Sequence, residues 1–376
     1  MVPTSLAIMP RASILPTMHD GIISSLRAYS APALVALGKA ADPQMNIDFL
    51  RPPRSRFGPP SMTAVFSRAP RACTPRPGQG RNVRMKNAAA RTEQIIEQPA
   101  RVRALRKLVE ATADGLWPAI ELSRPYIDGT ENLPHDGRFF LVGNHTQTGM
   151  GEAWLTSLAV RRAIGTRVRP LTERGMGSMP GPMGDVLAAC GGVVGTPENA
   201  TKLMQNNETL LVFPGGGREI GKFKGEEYQL KWQGRAGFAR VAIANDYPIV
   251  PFGYVGGDDI YHSITPRDSL LGRLTEKLGL AVTGKPDMTM PLVRGIGPTL
   301  IPSPQRNYLR FGQPIDTTQP AGVSDDEWVQ TVKKTTQTAV ENILRELQDI
   351  RAEDPPFRQL NPLAWRDAVQ PQAAVS

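Results

Sequence analysis

Phe139-Phe140-Leu141-Val142-Gly143-Asn144-His145-Thr146 runs from four bulky apolar residues through a glycine into three polar ones. Four consecutive apolar side chains leave no polar face for water, so the run reads as a strand buried on both sides of a sheet. Strands of that kind are typically parallel, and the loops at their carboxyl ends carry the functional groups of α/β sheets. His145 sits in such a loop. A neutral imidazole there can take a proton from an alcohol if a carboxylate fixes its tautomer. The plainer alternative is that Asn144 and His145 cap the helix that follows.

Outward from this stretch, short apolar runs recur at 192–194, 210–213, 249–252 and 308–311, and helical spacing fills 153–164, 198–205 and 236–244 between them. Alternation of buried strands with helices predicts an α/β fold, a central mostly parallel or mixed sheet flanked by helices. Val102, Leu105, Leu108, Val109, Leu116 and Ile120 give a basic-flanked amphipathic helix. It is expected to pack on its own domain, with a membrane surface as the alternative. Ser324-Asp325-Asp326-Glu327 reads as a capping box opening a last long helix with Trp328, Val332, Val340, Ile343 and Leu347 along one stripe.

The composition is asymmetric. Of 376 residues carrying a formal charge of +9, the first 90 hold 12 basic, 3 acidic and 12 proline residues, and the rest is balanced. The basicity therefore belongs to an appendage, which argues against nucleic acid as a partner. Residues 1–90 are expected to be a disordered basic Pro/Arg-rich extension. Their composition also suits an organelle-targeting segment, a tail for anionic lipid, or non-native coding sequence ahead of a start near Met85. Residues 91–350 then form the folded domain, and 351–376 a Pro/Ala-rich tail. Cys73 and Cys190 are too few for a disulfide framework or a Cys-rich zinc site, and no run of 18 apolar residues suggests a membrane span.

Several familiar motifs fail. Gly216-x-x-x-x-Gly221-Lys222 nearly makes a phosphate loop, but Phe223 stands where Ser or Thr must hold magnesium. Ile220 replaces the third glycine of a dinucleotide fingerprint. There is no Gly-x-Ser-x-Gly elbow, and none of His19, His135, His145 and His262 has a second ligand at zinc spacing, so no metal is expected.

Four ordered blocks survive. They are Asn144-His145 after a strand; Gly191-Gly192-Val193-Val194-Gly195-Thr196-Pro197-Glu198; Phe213-Pro214-Gly215-Gly216-Gly217-Arg218-Glu219; and the segment from Tyr228 through Trp232, Arg235 and Phe238 to Pro251-Phe252. Together they resemble the glycerolipid (lysophospholipid) acyltransferase superfamily, in particular its diacylglycerol-acyltransferase-like branch, strongly over 138–262 and weakly to about 315. The resemblance implies a glycerol-phosphate-acyltransferase-like fold and acyl transfer from a thioester, acyl-CoA as co-substrate, to a lipid hydroxyl. It implies no bound cofactor, no metal and no covalent acyl-enzyme.

On that resemblance His145 is the general base. The family separates its His from an Asp by four intervening residues; here that position is Met150, and Glu152 is the nearest carboxylate downstream. Asn144, Gly215, Gly216, Gly217, Arg218 and Glu219 are expected to bind substrate, with glycine N–H groups near a phosphate or oxyanion and Arg218 on an anionic group. Arg218 in an ion pair and the glycines in a simple turn are the structural alternatives. Glu219 is expected to set the loop or pair with Arg235. Lys222, Lys224 and Lys231 are read either as a site for CoA phosphates or as a solvated face. Tyr228, Leu230, Trp232 and Phe238 are read as an acyl channel or as core. His262 reads as loop punctuation. Pro-Gly-Gly in place of the Pro-Glu-Gly-Thr of phosphate-acceptor enzymes favours a neutral acceptor. Acyl-thioester hydrolysis, or lipid binding by a degenerate homologue, are the alternatives. The expected location is cytoplasmic and peripheral at a membrane, with the N-terminus compatible with organelle import.

Overall fold

The computed structural model describes residues 45–50, 63–68, 95–147, 151–173, 181–283, 289, 291–354 and 368–371. The chain divides into two units, Met1–Met85 and Lys86–Ser376. In the first, β1 (Met45–Leu50) pairs antiparallel with β2 (Thr63–Arg68), with Met45 opposite Arg68 and Leu50 opposite Thr63. The sequence patterns anticipate no strand here. The reason is length: Met45, Ile47 and Phe49 alternate with Asn46 and Asp48 for a single strand only, among prolines that mask the period. The rest of the expected extension lies outside the described residues.

The second unit runs α1 (Ala100–Leu122), β3 (Tyr126–Asp128), β4 (Phe140–Gly143), α2 (Gly151–Ile164), β5 (Val168–Thr172), α3 (Pro182–Ala189), β6 (Val193–Val194), α4 (Pro197–Gln205) and β7 (Thr209–Val212). It continues through α5 (Gly217–Ile220), α6 (Gly237–Ala244), β8 (Ile249–Val255), β9 (His262–Ser263), α7 (Leu270–Thr283), β10 (Val293–Arg294), β11 (Tyr308–Phe311) and α8 (Asp325–Glu353). Seven strands form one sheet in the order β3-β11-β8-β4-β7-β5-β6. All neighbours are parallel except β11 and β8, so the sheet is mixed.

β4 occupies the middle of this sheet. Phe140 and Val142 point to the face covered by Leu203 and Met204 of α4, Phe238 and Ala242 of α6, and Val332, Ile343 and Leu347 of α8. Phe139 and Leu141 point to the other face, against Leu155, Ala159 and Val160 of α2. Both periods of the strand are thus buried, as an unbroken apolar run requires. α8 lies close on β8 because Gly253 has no side chain; a Cβ there would fall 2.6 Å from Ile343 Cγ2.

Two expectations need correction. Ser324 is the N-cap of α8, but its side chain makes no capping bond; the Asp325, Asp326 and Glu327 carboxylates complement the helix dipole there instead. α1 buries Val102 and Ala113 but leaves Leu108, Leu116 and Leu122 exposed, so it packs along one edge only. α8 also extends past residue 350 to Glu353, and buried Asp354 accepts from Arg306 and, at 2.9 Å, from the Tyr308 hydroxyl. Arg306 also donates to the Val369 carbonyl at 2.6 Å, which anchors the described end of the tail. No described helix is long and apolar enough to cross a membrane.

Candidate active site

Parallel strands β4, β7 and β8 are neighbours, so the loops after their carboxyl ends converge on one edge of the sheet. These loops carry Asn144-His145-Thr146, Phe213 to Glu219, and Gly256 to Asp259. Asn144 is buried and closes the first loop onto β8: its Nδ2 donates to the Tyr254 carbonyl at 2.9 Å and its Oδ1 accepts from the Tyr254 N–H at 2.8 Å. Its role is to hold the strand ends together rather than to offer an open donor.

The His145 ring stacks on Phe213, with centroids 4.3 Å apart and planes 9° from parallel. Its Nδ1 meets Glu152 Oε1. Glu152 comes from the first turn of α2 and is wholly buried; it also accepts from the Thr146 N–H and the Thr146 hydroxyl, each at 2.8 Å. Burial alone would raise this carboxyl, but the bond and charge of His145 and the Thr146 N–H prevail and hold it below its ordinary range. The carboxylate named in sequence thus reaches His145. Met150, where the family's Asp would stand, lies outside the described residues.

Glu219 holds the main chain of the same histidine. It is wholly buried at the end of the glycine loop, accepting from the His145 N–H at 2.7 Å and the Lys231 N–H at 2.8 Å. Burial pushes it upward, against the lowering effect of Lys222 and of those N–H groups. The loop's glycines make room for this carboxylate: a Cβ on Gly215 would fall 2.2 Å from the Glu219 carboxyl carbon. Gly216 has φ +55°, a left-handed conformation disfavoured for other residues, and its N–H donates back to Phe213 at 3.0 Å. The Gly216 donor is therefore spent inside the turn, which corrects the expectation that it points at substrate. Gly217 opens the single turn of α5. Arg218, half-buried, donates to Gln233 Oε1 at 2.6 Å, and Arg235 donates to the carbonyls of Pro214 and Gly215 at 3.1 and 2.9 Å.

Lys222 also departs from expectation. It is completely buried, its Nζ donating to the His145 carbonyl at 2.8 Å and to Asp258 Oδ2 at 2.7 Å, so it cannot reach the phosphates of a bound thioester. Asp258, equally buried, accepts from the Gln147 and Tyr228 N–H groups at 2.9 and 2.8 Å. Burial raises its carboxyl, and Lys222 with those donors pulls the other way. Gly257 lets this loop close on β4's: a Cβ there would sit 2.3 Å from Thr146 Oγ1. Sequence reasoning missed Asp258 and Gln147 as members of the site; the signal available was an acidic residue just past the carboxyl end of an apolar strand. Lys224 is exposed, and Lys231 is paired with Glu226. Tyr228, Trp232 and Phe238 are core residues, Trp232 and Phe238 meeting edge-on, and His262 is exposed on β9.

Beside the Glu152 end of α2 lies an open cavity of about 420 Å³. Gly151 reaches it, and its apolar walls are Leu116, Ile120, Trp154, Leu155 and Ile260.

Comparison with known proteins points to acyltransferases. Residues 124–255, which contain the loops after β4 and β7 and run to the end of β8, match the Acyltransferase family model. Phytyl ester synthase 2, chloroplastic, of Arabidopsis thaliana is 30% identical over 278 residues, 68% of this chain and 38% of that protein. Phytyl ester synthase 1, chloroplastic, of the same plant is 31% identical over 249 residues, 61% of this chain and 35% of its own length. An uncharacterized protein of Mycobacterium leprae is 31% identical over 224 residues, 59% of this chain and 57% of that protein. The chain therefore spans little more than a third to somewhat over half of these relatives. Among solved structures, the 1-acyl-sn-glycerophosphate acyltransferase of Thermotoga maritima aligns with 64% of this chain and 79% of its own, at 15% identity and a TM-score of 0.35.

Proposed function

Because the chain carries an acyltransferase-family domain and belongs to the glycerolipid acyltransferase superfamily, we propose that it transfers a fatty acyl group from acyl-CoA to a neutral lipid hydroxyl with His145 as general base. The observation that carries this reading is the contact of His145 Nδ1 with buried, ionised Glu152. That contact favours the tautomer with hydrogen on Nδ1 and leaves Nε2 as the basic nitrogen.

In the proposed reaction the acceptor O–H gives its proton to Nε2 while its oxygen attacks the thioester carbonyl carbon. The tetrahedral intermediate then collapses with cleavage of the C–S bond, and the leaving thiolate takes the proton back from the imidazolium. Glu152 stabilises the imidazolium between these steps. Phe213, stacked on the ring, limits its rotation. Arg218 is assigned to an anionic part of the donor, and the cavity beside α2 to a hydrocarbon chain; about 420 Å³ falls in the range of small-ligand pockets. The glycine loop and the names of the plant relatives favour a long-chain alcohol or another neutral acceptor. Such substrates would place the protein at a membrane surface.

The test is incubation of the full chain with labelled acyl-CoA and a lipid extract, with products identified by mass spectrometry. A labelled ester of a neutral lipid is expected. Labelled free fatty acid alone would make the protein a thioester hydrolase, and no product would make it a lipid-binding homologue.

A further inference from the structure

α7 is built inside out. Its inward face carries Gly272 and Gly279: a Cβ on Gly272 would fall 2.2 Å from the Pro266 carbonyl oxygen, and one on Gly279 3.1 Å from Thr289 Cγ2. Its outward face carries Leu270, Leu274 and Leu278, which are 88, 52 and 56% exposed, with Leu271 at 44%. An amphipathic helix of a water-surrounded domain does the opposite, since each leucine left in water forgoes about 1.5–3 kcal/mol of burial. The surface continues past the helix. Ile264 and Leu292, joined by an N–H to carbonyl bond of 2.8 Å, are about half exposed, and so are Leu300 and Ile301. Ten of the large apolar side chains exposed among the described residues fall between 264 and 301, so the patch is a feature of this segment rather than scattered surface.

The charges beside it have one dominant sign. At 100° per residue, Arg273 and Lys277 follow one edge of the leucine stripe, and both are exposed. Arg294 on β10 is exposed as well. Glu276 is paired with Arg267 at 2.8 Å, on the side of the helix toward Gly272; among the described residues of the segment, Asp268 is the other exposed acid. A leucine face edged by cations is the pattern of a helix lying in a lipid interface, with its apolar side among acyl chains and its cations at the phosphates.

From these observations we infer that α7 and the described residues flanking it at 262–269 and 291–301 are the surface by which the protein docks on an anionic lipid bilayer. The surface is coupled to the site by contact: Thr289, packed under Gly279, has its carbonyl oxygen 2.2 Å from where a Cβ of Gly221 would be, and the next residue, Lys222, holds the His145 carbonyl. Docking through α7 holds the loop that ends at Gly221 on the inner side of that helix, one helix diameter, ~10 Å, from the bilayer. This assignment deepens the acyltransferase reading, because it supplies the route by which a lipid acceptor meets the site; the binding measurement itself needs no turnover.

The experiment floats the full chain with phosphatidylcholine vesicles containing or lacking phosphatidylglycerol. The wild type is expected to bind, more strongly with the anionic lipid. Leu274→Glu combined with Leu278→Glu is expected to lower binding by about tenfold or more at an unchanged melting temperature, since the replaced side chains are exposed. Arg273→Glu with Lys277→Glu should remove the preference for anionic vesicles and its salt sensitivity. A photoreactive residue at Leu274 should capture lipid. Capture of a second copy or of residues 1–85, absence of wild-type flotation, or wild-type flotation by the leucine variant would each overturn the assignment. Flotation without ester formation would instead sink the acyltransferase reading and leave the docking surface standing.

Discussion

Glu152 and Glu219 are both wholly buried and both bonded to His145, yet their environments push them in opposite directions. Glu152 touches the imidazole and is held ionised by it. Glu219 touches the main-chain N–H and is raised by burial, with Lys222 only partly opposing it. Two carboxylates separated in this way divide the work of a site: one stabilises charge that appears on the ring, and the other fixes where the ring stands. A second layer, Lys222 with Asp258, belongs to the positioning side, because it grips the carbonyl of the same residue.

The largest effect should come from the ring itself. His145→Ala is expected to lower acyl transfer about 10²- to 10⁴-fold while thermal unfolding stays near wild type. Near wild-type turnover would remove the distinction between the two carboxylates altogether. On the positioning side, Lys222→Met strands a buried Asp258 and should cost about 3–5 kcal/mol of stability, read as a fall in melting temperature. Adding Asp258→Asn should restore part of that loss; no restoration would mean that Lys222 acts through His145 alone.

The sharper comparison uses pH. Glu152 has a lowered folded value, so its contribution to stability is present above the unfolded carboxyl pKa and lost as pH falls through the folded one. The stability gap between wild type and Glu152→Gln should therefore narrow on acidification. Glu219 has a raised folded value, so its contribution is full below the unfolded pKa and declines as pH rises through the folded one. Wild type should accordingly gain on Glu219→Gln as pH falls, the reverse slope. At neutral pH Glu219→Gln should cost about 1–3 kcal/mol, because an amide can accept for only one of the two N–H groups. Parallel slopes in the two melting series would contradict the division. In activity, Glu152→Gln should lose about 10²-fold or less, the lower end of general-base assistance.

The smallest stability effect is expected at Arg218. Arg218→Ala should stay within about 0.5 kcal/mol of wild type, since the residue is only half-buried and its bond to Gln233 is exposed. Its KM for acyl-CoA should rise with kcat little changed. Unaltered kinetics would make Arg218 a loop residue.

The histidine, its downstream carboxylate and the glycine loop were legible because each depends on local order: an apolar run, a polar residue at its end, a turn that demands glycine. The strands at 140–143, 209–212, 249–255 and 308–311 were legible for the same reason. β5 was not, because Arg169 and Pro170 interrupt its pattern; Arg169 is buried all the same, paired with Glu208 at 3.0 Å and with the Gly191 carbonyl at 3.2 Å. A charged residue in a strand is read as exposed unless its partner, 39 residues away, is known to be beside it.

The sequence by itself determined that a parallel-type sheet would carry His145 at a strand end, with Glu152 the nearest carboxylate downstream, seven residues on. Only the tertiary structure decided that Lys222 is a buried clamp rather than a surface cation, that Asp258 belongs to the site, and that the leucines of α7 face outward while the valines and leucines of α8 face in. The physical reason is the same in each case. Local pattern specifies which residues share a face, but burial and charge pairing are set by what the other segments of the chain place against that face.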